Sequence, residues 1–61
     1  MKKKDFERHL RLNGCKLKRQ GNKHEIWENI GNEKWSTVPR HQELKDFLCK
    51  KICKDLDIPN P

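Results

Sequence analysis

A chain of 61 residues with 15 Lys and Arg against 9 Asp and Glu carries a net charge of +6 and a pI near 9.5. That length holds one domain, residues 1–61, and excludes a deep cofactor pocket. The excess positive charge favours a polyanionic partner, nucleic acid first and an anionic membrane surface second. Interfacial membrane binding needs a basic helix with Trp, Phe or Leu along one whole face, and no stretch here supplies it. Met1-Lys2-Lys3-Lys4 resembles the start of a secretion signal, but the following Asp5 to Gly14 is charged and holds no apolar segment, so a cytoplasmic protein is expected.

From Lys4 to Asn13, Phe6 and Leu10 recur at i, i+4 among charged residues and Gly14 follows as a C-terminal stop, which predicts a first amphipathic helix. Cys15, Leu17 and Arg19 then alternate with Lys16, Lys18 and Gln20, a short strand with one cationic face. Gly21-Asn22 reads as a tight reversal in the left-handed backbone that both residues tolerate. A second strand follows, with His24, Ile26 and Glu28 pointing one way and Glu25 and Trp27 the other. Asn29 to Glu33 is a loop by its Asn and Gly content, and Lys34 to Val38 is a third strand that ends at Pro39. Beyond it the period changes: Leu44, Phe47, Leu48, Ile52 and Leu56 share a helical stripe flanked by Cys49 and Cys53, and Asp57-Ile58-Pro59 ends the helix. The predicted class is α+β in the order α-β-β-β-α, a three-stranded antiparallel sheet with both helices on one face and the other face open.

Cys15, Cys49 and Cys53 form no C-x-x-C pair and suit neither a disulfide framework nor a zinc ribbon. Cys49 and Cys53, spaced i, i+4, would need His9 or His41 and a further ligand to hold a metal; buried, reduced thiols are the simpler reading. His9 lies mid-helix as a surface residue. No Gly-rich phosphate loop, HExxH pattern or pair of carboxylates at catalytic spacing occurs. The acidic residues, Glu25 included, are scattered among basic ones, as on a solvated surface. No metal or other cofactor is expected.

His24 is the best-placed histidine, at the mouth of the second strand with Arg19 and Lys23 close in sequence. Imidazole titrates near pH ~6.5, so it both accepts and donates protons under cellular conditions. Its cationic neighbours suit a substrate that brings negative charge. The leading reading is RNA phosphodiester chemistry at His24, against which stands a surface histidine in a basic hairpin.

The order of these pieces resembles the HicA-type toxins of bacterial toxin–antitoxin pairs, described as mRNA interferases. The resemblance rests on Lys4-Asp5-Phe6 with Leu10 and Asn13-Gly14, on Gly21-Asn22-Lys23-His24 with Trp27 three residues later, and on Thr37-Val38-Pro39-Arg40-His41. Glu43-Leu44-Lys45 through Leu56-Asp57-Ile58 resembles the family's last helix. The resemblance implies a double-stranded-RNA-binding-domain-like fold, a toxin that cleaves RNA, a HicB-type antitoxin partner, and a catalytic histidine at His24. Many members read Gly-Ser-His, whereas Asn22 and Lys23 separate Gly21 from His24 here, so a serine's role does not carry over. Phe47-Leu48 stands where a Gly-Thr often opens the last helix, which suggests a start near Gln42 or Glu43.

RNA cleavage without a metal needs a base for the 2′-hydroxyl, an acid for the leaving 5′-oxygen and positive charge on the phosphorane. His24 is the candidate for proton transfer, as base or acid, and His41 for the second proton carrier, a cap of the last helix or a contact for the antitoxin. Lys18, Arg19, Lys23, Arg40 and His41 are the candidate RNA-binding residues. The alternatives are a non-catalytic RNA-binding module of the same fold and an interaction protein whose basic surface serves an acidic partner.

Overall fold

A computed structural model describes all 61 residues. Phe6 and Leu10, one helical turn apart, are fully buried on α1 (Lys3–Leu12), while the charged residues between them face outward. Asn13 caps the helix and Gly14 follows at φ 81°, a left-handed position that glycine occupies without steric cost. Strands β1 (Cys15–Gln20), β2 (His24–Asn29) and β3 (Trp35–Pro39) pair antiparallel in the order β1-β2-β3. Helix α2 (Asp46–Leu56) completes the α-β-β-β-α order. Pro39 is the last residue of an edge strand, where its missing N–H breaks no ladder.

The inner sheet face buries Cys15, Glu25, Trp27, Asn29, Ser36 and Val38. Trp27 sits at the centre with Phe6 and Leu10 of α1 and with Cys49, Ile52, Cys53 and Leu56 of α2 in the same core. Arg11 lies over its ring at 5.2 Å, a cation–π contact. Asn29 Nδ2 donates at 2.9 Å, and Asn32 Nδ2 at 3.2 Å, to the Leu56 carbonyl oxygen, so the β2–β3 loop supplies partners to the C-terminal end of α2. His24, Ile26 and Glu28 alternate onto the opposite face, which no helix covers.

Four expectations are corrected. First, α2 begins at Asp46 rather than near Gln42 or Glu43. The preceding linker is held extended against the N-terminal segment: Lys2 bridges Glu43, and Lys3 N–H donates to the Gln42 carbonyl oxygen at 2.8 Å. Second, that later start resets the helix phase. Leu44 is buried but comes from the linker, and Phe47 is 70% exposed. At 3.6 residues per turn Phe47 lies about 160° round the helix from Cys49, so the buried stripe is Cys49, Ile52, Cys53 and Leu56.

Third, β1 does not alternate regularly. Leu17 pairs with Trp27 but Arg19 pairs with Ile26, leaving Lys18 as the extra residue of a β-bulge. The bulge moves Arg19 off the Cys15 and Leu17 side and onto the face of Ile26, as bulges re-aim side chains. Fourth, the β1–β2 reversal uses no left-handed residue: the positive φ values belong to Gly14, Glu33 and Asp57. Gly21 is required for a different reason, since a Cβ there would lie 2.9 Å from the His24 carbonyl oxygen. Gly21 N–H donates to that oxygen at 2.8 Å, which closes the loop on the first residue of β2.

Candidate functional site

His24 opens β2 opposite Pro39 of β3, with its imidazole exposed and free of hydrogen-bond partners in the protein. The backbone beneath it is fixed. Arg40, which follows Pro39, holds the Gly21-Asn22-Lys23 loop through its carbonyl oxygens. Its Nη1 donates to Gly21 at 3.0 Å and to Asn22 at 3.4 Å, while its backbone N–H donates to Lys23 at 3.1 Å. The imidazole therefore stands on a loop tied at each of its residues, which lowers the entropy lost when a reactive geometry is reached.

Behind Arg40 lies Glu25, buried on the inner face. Lys3 Nζ donates to its Oε1 at 2.9 Å, Trp27 Nε1 donates to the same oxygen at 3.0 Å, and Arg40 Nε lies 4.0 Å from Oε2. The Arg40 contact is a charge interaction rather than a hydrogen bond. Lys3 also donates to Glu7 at 2.8 Å. Burial acts to raise the Glu25 carboxyl's pKa, but the Lys3 and Trp27 hydrogen bonds and the Lys3 and Arg40 charges outweigh it and leave the group below its ordinary value. Burial likewise opposes the Lys3 ammonium, yet its bonds to Glu7 and Glu25 raise it above its usual range. A line of ionic contacts thus runs from α1 through β2 to the loop that carries His24. Sequence reasoning placed Glu25 on a solvated surface; its alternation with Trp27 on the inward side was the signal that it is buried and must be paired.

The candidate RNA-binding residues divide into two groups. Lys18 and Arg19 sit together on the open sheet face, around a depression of about 350 Å³ that Ile26 and Trp35 complete. Arg40 and His41 line a second depression of about 520 Å³, into which no hydrophobic residue enters, with Lys2, Lys3, Lys4 and Glu43. His24, paired with the residue before Arg40, stands between the two, and exposed Lys23 precedes it on the loop. Arg40 and Lys18 are the candidates whose charge is already engaged, whereas Arg19 and Lys23 make no ion pair. Lys18 lies 3.5 Å from Glu28.

The other histidine and the thiols sit elsewhere. His9 is not a plain surface residue: it stacks on Phe6 with ring centroids 6.3 Å apart, and its Nε2–H donates to the Pro59 carbonyl oxygen at 2.7 Å, fastening the C-terminal segment to α1. Cys15, Cys49 and Cys53 are buried in the core, and no three metal-ligating side chains converge. Burial raises all three thiols, Cys53 up to about 11. No helix is long and apolar enough to cross a membrane.

No curated protein and no solved structure matches the chain. A family model described as the HicA toxin of bacterial toxin–antitoxin systems matches residues 4–58, from α1 through the cap of α2 and including the clamped His24 loop. With nearly its whole length inside that match, the chain belongs to the HicA toxin family.

Proposed function

We propose that this protein is the toxin of a type II toxin–antitoxin system and that it cleaves RNA by acid–base chemistry at His24. The observation that carries the reading is an exposed imidazole on a loop tied down by Arg40, bordered by cationic side chains. In the reaction a base removes the 2′-hydroxyl proton and the 2′-oxygen bonds to phosphorus. The bond from phosphorus to the 5′-oxygen breaks, and an acid protonates the departing oxygen. The products are a 2′,3′-cyclic phosphate and a 5′-hydroxyl. His24 performs one of the proton transfers, and His41, two residues beyond its cross-strand partner, is the other histidine of this rim. Lys23 and Arg19, without protein counter-ions, hold phosphate, and Lys23, the neighbour of His24, offsets the charge that develops at the cleaved bond. The chemistry calls on no cofactor.

Membership in a toxin–antitoxin family implies an antitoxin partner. A HicB-type protein that covers His24 is the simplest inhibitor in the cytoplasm where both would act. The test is cleavage of a messenger RNA fragment in EDTA, with the ends identified. Wild-type protein is expected to leave 2′,3′-cyclic phosphate or 3′-phosphate ends. His24→Ala should lower the rate ~10²–10⁴-fold, the usual worth of a general acid or base, with unchanged circular dichroism and RNA affinity. Wild-type rates in the variant would move the chemistry off His24, and binding without any cleavage would leave a non-catalytic RNA-binding module.

A further inference from the structure

The two tryptophans of this chain have opposite fates. Trp27 is fully buried and its indole N–H is used by Glu25, whereas Trp35 is 57% exposed on the open sheet face and makes no hydrogen bond through its side chain. Around Trp35 the fold gathers Ile26 and two cations, Lys18 and Arg19, at one depression. Arg19 reaches that face only because of the bulge at Lys18. An exposed indole beside an apolar side chain and an uncommitted guanidinium provides a flat π surface for a base next to positive charge for its phosphate.

We propose that the open sheet face is a stacking platform for single-stranded RNA, with one base on Trp35 and the adjoining phosphate on Arg19, and that it feeds the strand toward His24. The proposal rests on the RNA-cleavage reading of His24 and adds to it a substrate-binding subsite. Duplex RNA does not fit this mode, because paired bases expose no face to an indole. Glu28, the cross-strand partner of Trp35, carries the carboxylate of this face, and Lys18 lies against it, so Arg19 at the depression and Lys16 opposite Glu28 provide the net charge. The register sets the length of the track. Trp35 pairs with Glu28 and Pro39 with His24, so the two sites lie four residues apart along β2, roughly 13 Å at ~3.3 Å per residue. That distance spans about four stacked nucleotides at ~3.4 Å each, and fewer in an extended strand. The cut therefore falls a few nucleotides from the stacked base, at a fixed offset.

The experiment uses the intact chain and a ten-nucleotide single-stranded 2′-O-methyl RNA, which lacks the free 2′-hydroxyl and cannot be cleaved. Binding is read by tryptophan fluorescence and by anisotropy of a labelled oligonucleotide. In the unmodified protein the exposed Trp35 is expected to be quenched on binding while buried Trp27 is not. Trp35→Thr, which keeps strand propensity, should lose affinity by about five- to a hundred-fold, the usual worth of one stacked base. Trp35→Phe should retain most of the affinity, and the preference for single strand over duplex should fall only in the Thr variant. Unquenched wild-type fluorescence at saturation, or equal affinity in the Thr and Phe variants, overturns the proposal. So does a Trp35→Thr protein that binds RNA normally but no longer binds its antitoxin, which would make this face a protein interface. Because the oligonucleotide cannot react, a failed His24 mechanism appears only in the cleavage assay and a failed platform only in binding.

Discussion

Replacing Arg40 with Ala separates two roles that a basic residue beside the His24 loop can have. Its side chain donates to two loop carbonyl oxygens, at 3.0 and 3.4 Å, and stands 4.0 Å from buried Glu25. Hydrogen bonds from a charged donor are worth ~1.5–3 kcal/mol when shielded. Arg40 is 43% exposed, and screening at such a site brings the expected loss to about 1 kcal/mol. In a domain of this size that lowers Tm by ~4–8 °C. The larger effect is on catalysis, because the lost contacts hold the loop that carries the imidazole, and a displacement of about 1 Å costs ~10²-fold in rate. Arg40→Ala should therefore lower kcat by one to two orders of magnitude at 25 °C, where the variant stays folded. It should leave the slope of log affinity against log salt unchanged. Arg40→Lys should fail nearly as badly, since a single ammonium cannot reproduce the planar fork. The measurements are single-turnover cleavage and a salt titration of binding to uncleavable RNA. A slope flattened by ~0.7 with normal single-turnover rates, together with rescue by Lys, would refute the clamp and return Arg40 to phosphate binding.

Two further predictions concern the core and its ionic line. The Glu25 carboxyl is depressed in the folded state, so the native protein binds fewer protons than the unfolded chain in acid; the stabilisation is present above the unfolded value of ~4.3 and is lost as pH falls through the lower folded value. Urea titrations at a series of pH values below about 5 should show a shallower acid decline for Glu25→Gln than for wild type, and parallel declines would place the acid sensitivity in other carboxylates. The buried thiols, with Cys53 pushed up to about 11, should resist iodoacetamide at neutral pH in the native protein and react in guanidinium; rapid native labelling of Cys53 would mean that the packing of α2 against the sheet opens readily.

The order of elements was legible in the sequence because each carries its own period: Phe6 and Leu10 at helical spacing, Glu25 and Trp27 alternating with Ile26 and Glu28, Asn and Gly in the loops. The phase of α2 was not, because Leu44, Phe47 and Leu48 mimic a helical stripe, and what keeps the linker extended is long-range contact with the N-terminal segment, the Lys2–Glu43 bridge and the backbone bonds of Met1 and Lys3. The bulge at Lys18 was equally hidden. Strand alternation gives the face of a residue only while the ladder is regular, and nothing local in Leu17-Lys18-Arg19 announces that two residues will oppose one. His24 stood out by its chemistry and its cationic neighbours. What holds it did not, since Arg40 is sixteen residues away in sequence and meets the loop only through pairing of β2 with β3.

These two hidden features have one consequence in common. The bulge turns Arg19 toward Ile26 and Trp35, and the β2–β3 pairing sets Arg40 against the loop of His24. Neither cation's role follows from its place in the chain, and the register assigns them differently: Arg19 has no protein partner and is available to phosphate, while Arg40 is occupied by loop carbonyl oxygens. A charge-neutralising change at each position should therefore give opposite signatures. Arg19→Ala weakens binding and flattens the salt dependence by ~0.7 in slope with chemistry intact, and Arg40→Ala slows chemistry with the salt dependence intact. Identical signatures at the two sites would mean that net charge alone governs this surface, and that the geometry around His24 contributes nothing specific to the use of either cation.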